Sequence, residues 1–155
     1  MKTPLTKTIV LLTLAIAAPL GAIAQQLPGK HPAYLHALSD LRAARWFLFH
    51  QQGDTKVSAS EDLAISEVEA AIGEIKRASI DDGKDLNDHP QVDIKEHGSR
   101  LLKSIETLKK AKADISSEED NPETHELRHR AHEHIDRAIK AAEKAHAEWL
   151  KEAKK

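Results

Sequence analysis

Ten of the 155 residues are histidine, and all ten lie at or beyond position 31. Imidazole binds divalent transition metals and changes charge near neutral pH, so the spacing of these rings decides what chemistry is open to the chain. His125, His129 and His132 are separated by four and then three residues, and Asp136 follows four further on. At about 100° per residue the four side chains share one helical stripe. Imidazole and carboxylate together suit zinc, nickel, copper(II) or iron, whereas magnesium and calcium prefer oxygen alone.

A second set depends on topology. If four helices alternate in direction, the start of the first, the start of the third and the end of the fourth meet at one pole. That brings together His31, His97 and His146, supported by Asp93 four residues before His97 and Glu143 three before His146. A hydrogen-bonded histidine network at the core edge is the main expectation for this set; the alternative is a buried metal, with a b-type haem the lesser form of it. The same topology lets His50 approach His125 and His129 at the other pole.

His125-Glu126-Leu127-Arg128-His129 also fits the His-Glu-x-x-His pattern of zinc peptidases, in which two imidazoles hold zinc and the glutamate activates water. The longer metzincin form wants Gly and a third His further on, but this chain has His132 and Ile135 there. The short pattern is a weak signal, since about one chain in a dozen this rich in His and Glu carries it by chance. A di-iron centre needs Glu-x-x-His motifs on two different helices. Glu126-x-x-His129 and Glu143-x-x-His146 share one. No phosphate-binding glycine loop or nucleophile elbow occurs either, so no enzymatic activity is expected.

The competing explanation is bland: histidines on solvated helix faces, or acting together as a pH sensor. The net charge is −2 with neutral histidines, and ten added protons would reverse its sign. Arg45 falls on the apolar stripe of the first helix, where an arginine needs an acidic partner; Glu61 and Glu69 are the candidates. Trp46 and Phe47 drift off that stripe and are candidate partner-binding residues, for another protein or for a second copy in a homodimer.

These side chains must be positioned by helices. Pro32 opens the first, expected over 32–52, and Gly53 stops it. Ser58 and Glu61 form a capping box for the second, over 60–79. The third is expected over 90–114, opening at Pro90, although Gly98 interrupts its apolar edge and Ser99 is an alternative start. Gly98 either weakens the helix or allows close helix contact. Asn121-Pro122 opens the fourth, over 122–152. With short polar links between them, the expected fold is an all-α, antiparallel up-down-up-down four-helix bundle.

Ahead of this single domain, at 25–155, Lys2 and Lys7 precede an apolar run from Ile9 to Ala18, then Pro19, Gly21 and Ala22-Ile23-Ala24. That is the plan of a signal peptide at 1–24, and it places the mature chain in the periplasm or outside the cell. No second long apolar run follows, so no membrane span is expected in the mature chain. With 23 basic and 25 acidic residues there is no basic footprint for nucleic acid. The absence of Cys removes disulfides and thiolate ligands. The favoured function is therefore a non-catalytic buffer or carrier of zinc, nickel or copper(II). The alternative is a protein-interaction or stress-response bundle with incidental or pH-sensing histidines.

Overall fold

The computed structural model describes residues 31–54, 58–78, 81–89, 92, 94–117 and 122–155. The expected signal peptide and Asp93 lie outside the described residues. Four helices account for the regular structure: α1 Pro32–Leu48, α2 Ala59–Arg77, α3 His97–Ser117 and α4 Pro122–Glu152. No strand occurs among the described residues.

Local chemistry sets the boundaries. α1 stops at Leu48, short of the expected 52, because Phe49 leaves the helix at ψ 139°. The turn that follows is closed by Asp54, whose backbone N–H donates to the Gln51 carbonyl while its carboxylate accepts the Gln51 N–H at 2.8 Å. Gly53 supplies the positive φ of 106° that this turn requires. α2 opens on the expected capping box: Glu61 N–H donates to Ser58 Oγ, and the Glu61 carboxylate accepts the Ser58 N–H. α3 begins at His97, neither at Pro90 nor at Ser99. The Glu96 carboxylate takes the N–H groups of Gly98 and Ser99, which would otherwise be orphaned in the first turn.

Each helix buries one stripe. Leu38, Leu41 and Leu48 of α1 meet Val68, Ile72 and Ile75 of α2, Leu101, Leu108 and Ile115 of α3, and Ile135 of α4. Truncating one such fully buried side chain to Ala costs about 2–5 kcal/mol. Alanines line the rest of α4's inner face, at 131, 138, 142 and 145, and α2 packs most extensively there.

The order of the helices differs from the expected alternation. α1 neighbours α2 and α3, and α4 neighbours α2 and α3. Asp54, just after α1, binds Arg100 at the start of α3, while Asp40 further back in α1 binds Lys110 further along α3. α3 therefore runs opposite to α1 and the same way as α2. Bonds from Glu74 to Arg130 and from Glu67 to His134 set α4 antiparallel to α2. The topology is up-down-down-up. Its physical basis is the 78–96 link, whose later part falls within the helix expected from 90 but precedes the α3 start at His97. An extended segment of that length reaches about 60 Å, enough to return along a helix of about 30 Å.

Residues 81–89 of that link run along the outside of α1. Asp82 pairs with Arg42, Asn87 accepts from Arg45 at 3.1 Å, and the His89 ring stacks on Trp46 with centroids 3.7 Å apart. Leu86 packs against the core. No helix of the described residues is long and apolar enough to cross a membrane.

Candidate functional site

The crossover moves the histidines away from their expected companions. His125 and His129 are exposed near the start of α4, and His129 faces Glu133 at 3.4 Å. His132 meets Ser116 Oγ at 3.2 Å, and Asp136 accepts from Lys112 at 2.5 Å. Burial, with the nearby charges of Lys112 and Arg128, holds the His132 pKa below its ordinary value. Ser116, Glu133 and Lys112 engage these groups separately, and among the described residues His125, His129, His132 and Asp136 do not assemble a site.

The second set divides between the poles. His31 sits at the start of α1 beside Tyr34, while His97 and His146 lie at the opposite end, where α3 starts and α4 finishes. His146 stacks near Trp149 with centroids 6.0 Å apart, and Glu143 is taken by Lys109 at 2.8 Å. His50 lies at the end of α1, far from the α4 start, so it does not approach His125 or His129. Among the described residues, no three His, Asp or Glu side chains already stand in a metal-holding arrangement.

Phe47 is a core residue, 3% exposed, and offers no surface to a partner. Trp46 is covered by His89 from the crossover. Arg45 does find an acid, donating to Glu69 at 2.6 Å. The more deeply buried arginines, Arg42 and Arg100, escaped sequence analysis because their acidic partners come from loops.

What assembles instead is the pole where α1 ends, α2 and α3 begin, and α4 ends. The Glu61 side chain is 3% exposed there. Its Oε2 lies 2.9 Å from His97 Nε2 and 3.7 Å from His50 Nδ1. His50 Nε2 meets Asp62 at 3.0 Å, and His97 Nδ1 lies 3.9 Å from Asp54. Arg100, almost wholly buried, donates to both oxygens of Asp54 and to the Lys95 carbonyl. Burial alone would raise the Asp54 pKa, but the Arg100 and Gln51 hydrogen bonds and the Arg100 charge outweigh it and hold the carboxyl below its ordinary value. A cleft of about 320 Å³ opens beside this cluster, lined by Gln51, Gln52, Asp54, Lys95, His97, Arg100 and Trp149.

The same pole gathers the exposed apolar side chains. Phe49, Leu63, Val92, Leu102 and Leu150 are the large apolar residues left in solvent among those described. Phe49 caps α1, Leu63 and Leu102 lie in the first two turns of α2 and α3, and Leu150 is in the last turn of α4. Val92 belongs to the crossover between His89, stacked at the α1 end, and Lys95, bound by Arg100.

One long crossover joining two hairpins is also the connectivity of ferritin-like bundles, whose di-iron centres need inward glutamates and histidines midway along the helices. Among the described residues the buried positions midway along the helices are Leu, Ile, Val and Ala with Arg42 of α1 and Ser104 and Thr107 of α3, and the buried Glu61 and Glu74 sit near the ends of α2. Compared with known protein families, curated proteins and solved structures, the chain matches none.

Proposed function

We propose that the protein is an exported, non-catalytic interaction bundle that engages an apolar segment of a partner protein, or of a second copy, through the pole bearing the 320 Å³ cleft. The carrying observation is the placement of Phe49, Leu63, Val92, Leu102 and Leu150. Single exposed apolar residues scatter over any surface, but all four helices and the crossover place theirs at one end, which favours a docking region. The N-terminal pattern of Lys2 and Lys7, an apolar run and Ala22-Ile23-Ala24 supports export.

A photocrosslinking amino acid at Leu102, with His125 near the other end as control, tests this in the producing cell. A defined adduct from position 102 only, lost when Leu63 and Leu150 are changed to Glu, is the expected result. An adduct of twice the chain's own mass identifies the partner as a second copy. Equal crosslinking from both positions, or none from position 102, overturns the proposal.

A further inference from the structure

We infer that the same pole holds a divalent transition-metal site made of His50 Nδ1, Glu61 Oε2 and His97 Nε2. The inference does not depend on docking and begins with the charge on Glu61. The other deeply set carboxylates each have an arginine or a lysine: Asp54 has Arg100, Asp82 has Arg42, Glu74 has Arg77 and Arg130, Glu67 has Arg137, and Asp40 has Lys110. Among the described residues, the ionic partners of Glu61 are His50 and His97 alone. Among the described residues no lysine or arginine pairs with this nearly buried carboxylate, and burying a carboxylate is costly unless a cation balances it. A bound cation supplies the missing charge.

An independent observation concerns His50. Its Nδ1 atom is buried and has no hydrogen-bond partner, yet it lies 3.7 Å from the Glu61 oxygen that His97 also contacts. A buried lone ring nitrogen beside a carboxylate is a ligand atom in waiting. In a tetrahedral site with bonds near 2.0–2.1 Å, donor atoms stand about 3.3–3.4 Å apart. The His97–Glu61 separation of 2.9 Å must open by a few tenths of an ångström, and the His50–Glu61 separation must close by as much. His50 can do this because it sits beyond the end of α1 and its side chain is 30% exposed.

Part of an outer shell is in place at His50 and Glu61, while His97 Nδ1 is 3.9 Å from Asp54, beyond hydrogen-bond distance. Ligating histidines commonly give their second nitrogen to a carboxylate, which fixes the tautomer. His50 Nε2 has Asp62 at 3.0 Å. The other Glu61 oxygen is held by Ser58 through its N–H and hydroxyl. Two imidazoles and one carboxylate suit zinc, nickel or copper(II), and leave a fourth position to water.

Calorimetric titration of the full mature chain with zinc chloride, nickel chloride or copper(II) sulfate at neutral pH tests the site. The expected result is one ion per chain for at least one metal. Binding should be lost in Glu61→Gln, a variant that keeps the capping box because Gln also serves there. His50→Gln, changed outside any helix, should abolish it too, while Asp62→Asn should weaken it by about 10–100-fold. Circular dichroism checks that each variant is folded. The triple change of His125, His129 and His132 to Gln should leave binding intact. No binding of any of the three ions overturns the inference, as does binding that survives both Glu61→Gln and His50→Gln or that disappears in the triple variant.

Discussion

The Trp149 ring lies directly against the α3 backbone at Gly98, so close that a Cβ there would stand 2.5 Å from ring carbon Cζ3. Glycine at this position is a requirement of packing, and it resolves the interruption that Gly98 makes in the α3 apolar edge. It also ties the end of α4 to the first turn of α3, beside the His97–Glu61 contact.

Gly98→Ala tests this relationship. Helix propensity alone would favour Ala by about 1 kcal/mol. The clash should reverse the sign and give a net loss of about 1–2 kcal/mol, within the usual range for overpacking. In a Trp46→Phe background the emission of Trp149 should shift to longer wavelength as its ring is pushed outward. Urea unfolding of Gly98→Ala, Trp149→Leu and the pair measures the coupling. A stabilised Gly98→Ala would show that the ring gives way without cost.

Asp54 and Arg100 fasten the α1–α2 turn to α3. Replacing Asp54 by Asn leaves a nearly buried guanidinium without its counter-charge, and should cost about 3–5 kcal/mol. Adding Arg100→Met should recover much of that loss, because the buried charge is then gone. The sign of the pH effect follows from the lowered Asp54 pKa. Its stabilisation is fully present above the unfolded value of about 3.9 and disappears as pH falls through the lower folded value. Urea midpoints from pH 6 to pH 2 should therefore fall less steeply in the double variant than in the parent.

His132 acts at milder pH. Burial, reinforced by Lys112 and Arg128, lowers its pKa in the folded chain, so the unfolded chain takes up its proton first. Stability is lost as pH drops below the unfolded value of about 6.5. His132→Gln should flatten the decline in melting temperature between pH 7 and pH 5. An unchanged slope in that variant would assign the decline to other groups.

Much of the fold is legible residue by residue. Pro32, the Ser58–Glu61 box and Asn121-Pro122 announce helix starts through local chemistry, and α1, α2 and α4 open within one residue of expectation. Apolar spacing likewise marks Leu38, Val68, Leu108 and Ile135 as core. Helix direction is not local. The 78–96 segment carries helix-compatible residues, and its course is fixed by Asp82, Leu86 and His89 finding Arg42, the core and Trp46, partners about forty positions away. Reversing α3 and α4 together relative to α1 then exchanges His31 for His50 at the pole of His97. Glu61 is legible as a cap and as a candidate partner of Arg45, but Arg45 takes Glu69, and the second Glu61 oxygen owes its contact with His97 and His50 to the tertiary fold.

The crossover itself offers the last test. Arg42 is 1% exposed, and Asp82 neutralises it from a segment with no regular structure. Two hydrogen bonds link the pair, with Asn87 on Arg45 and His89 on Trp46 above them. Because these contacts follow one another along the link, loss of the lowest should release the others while α2 and α4 stay packed. Hydrogen exchange in Asp82→Asn should accelerate across 81–89 well before the helices exchange, and in a Trp149→Phe background Trp46 fluorescence should change as the His89 ring departs. Uniform acceleration over all four helices would instead show that the strap opens only with the whole bundle, making the Arg42–Asp82 pair part of the global fold.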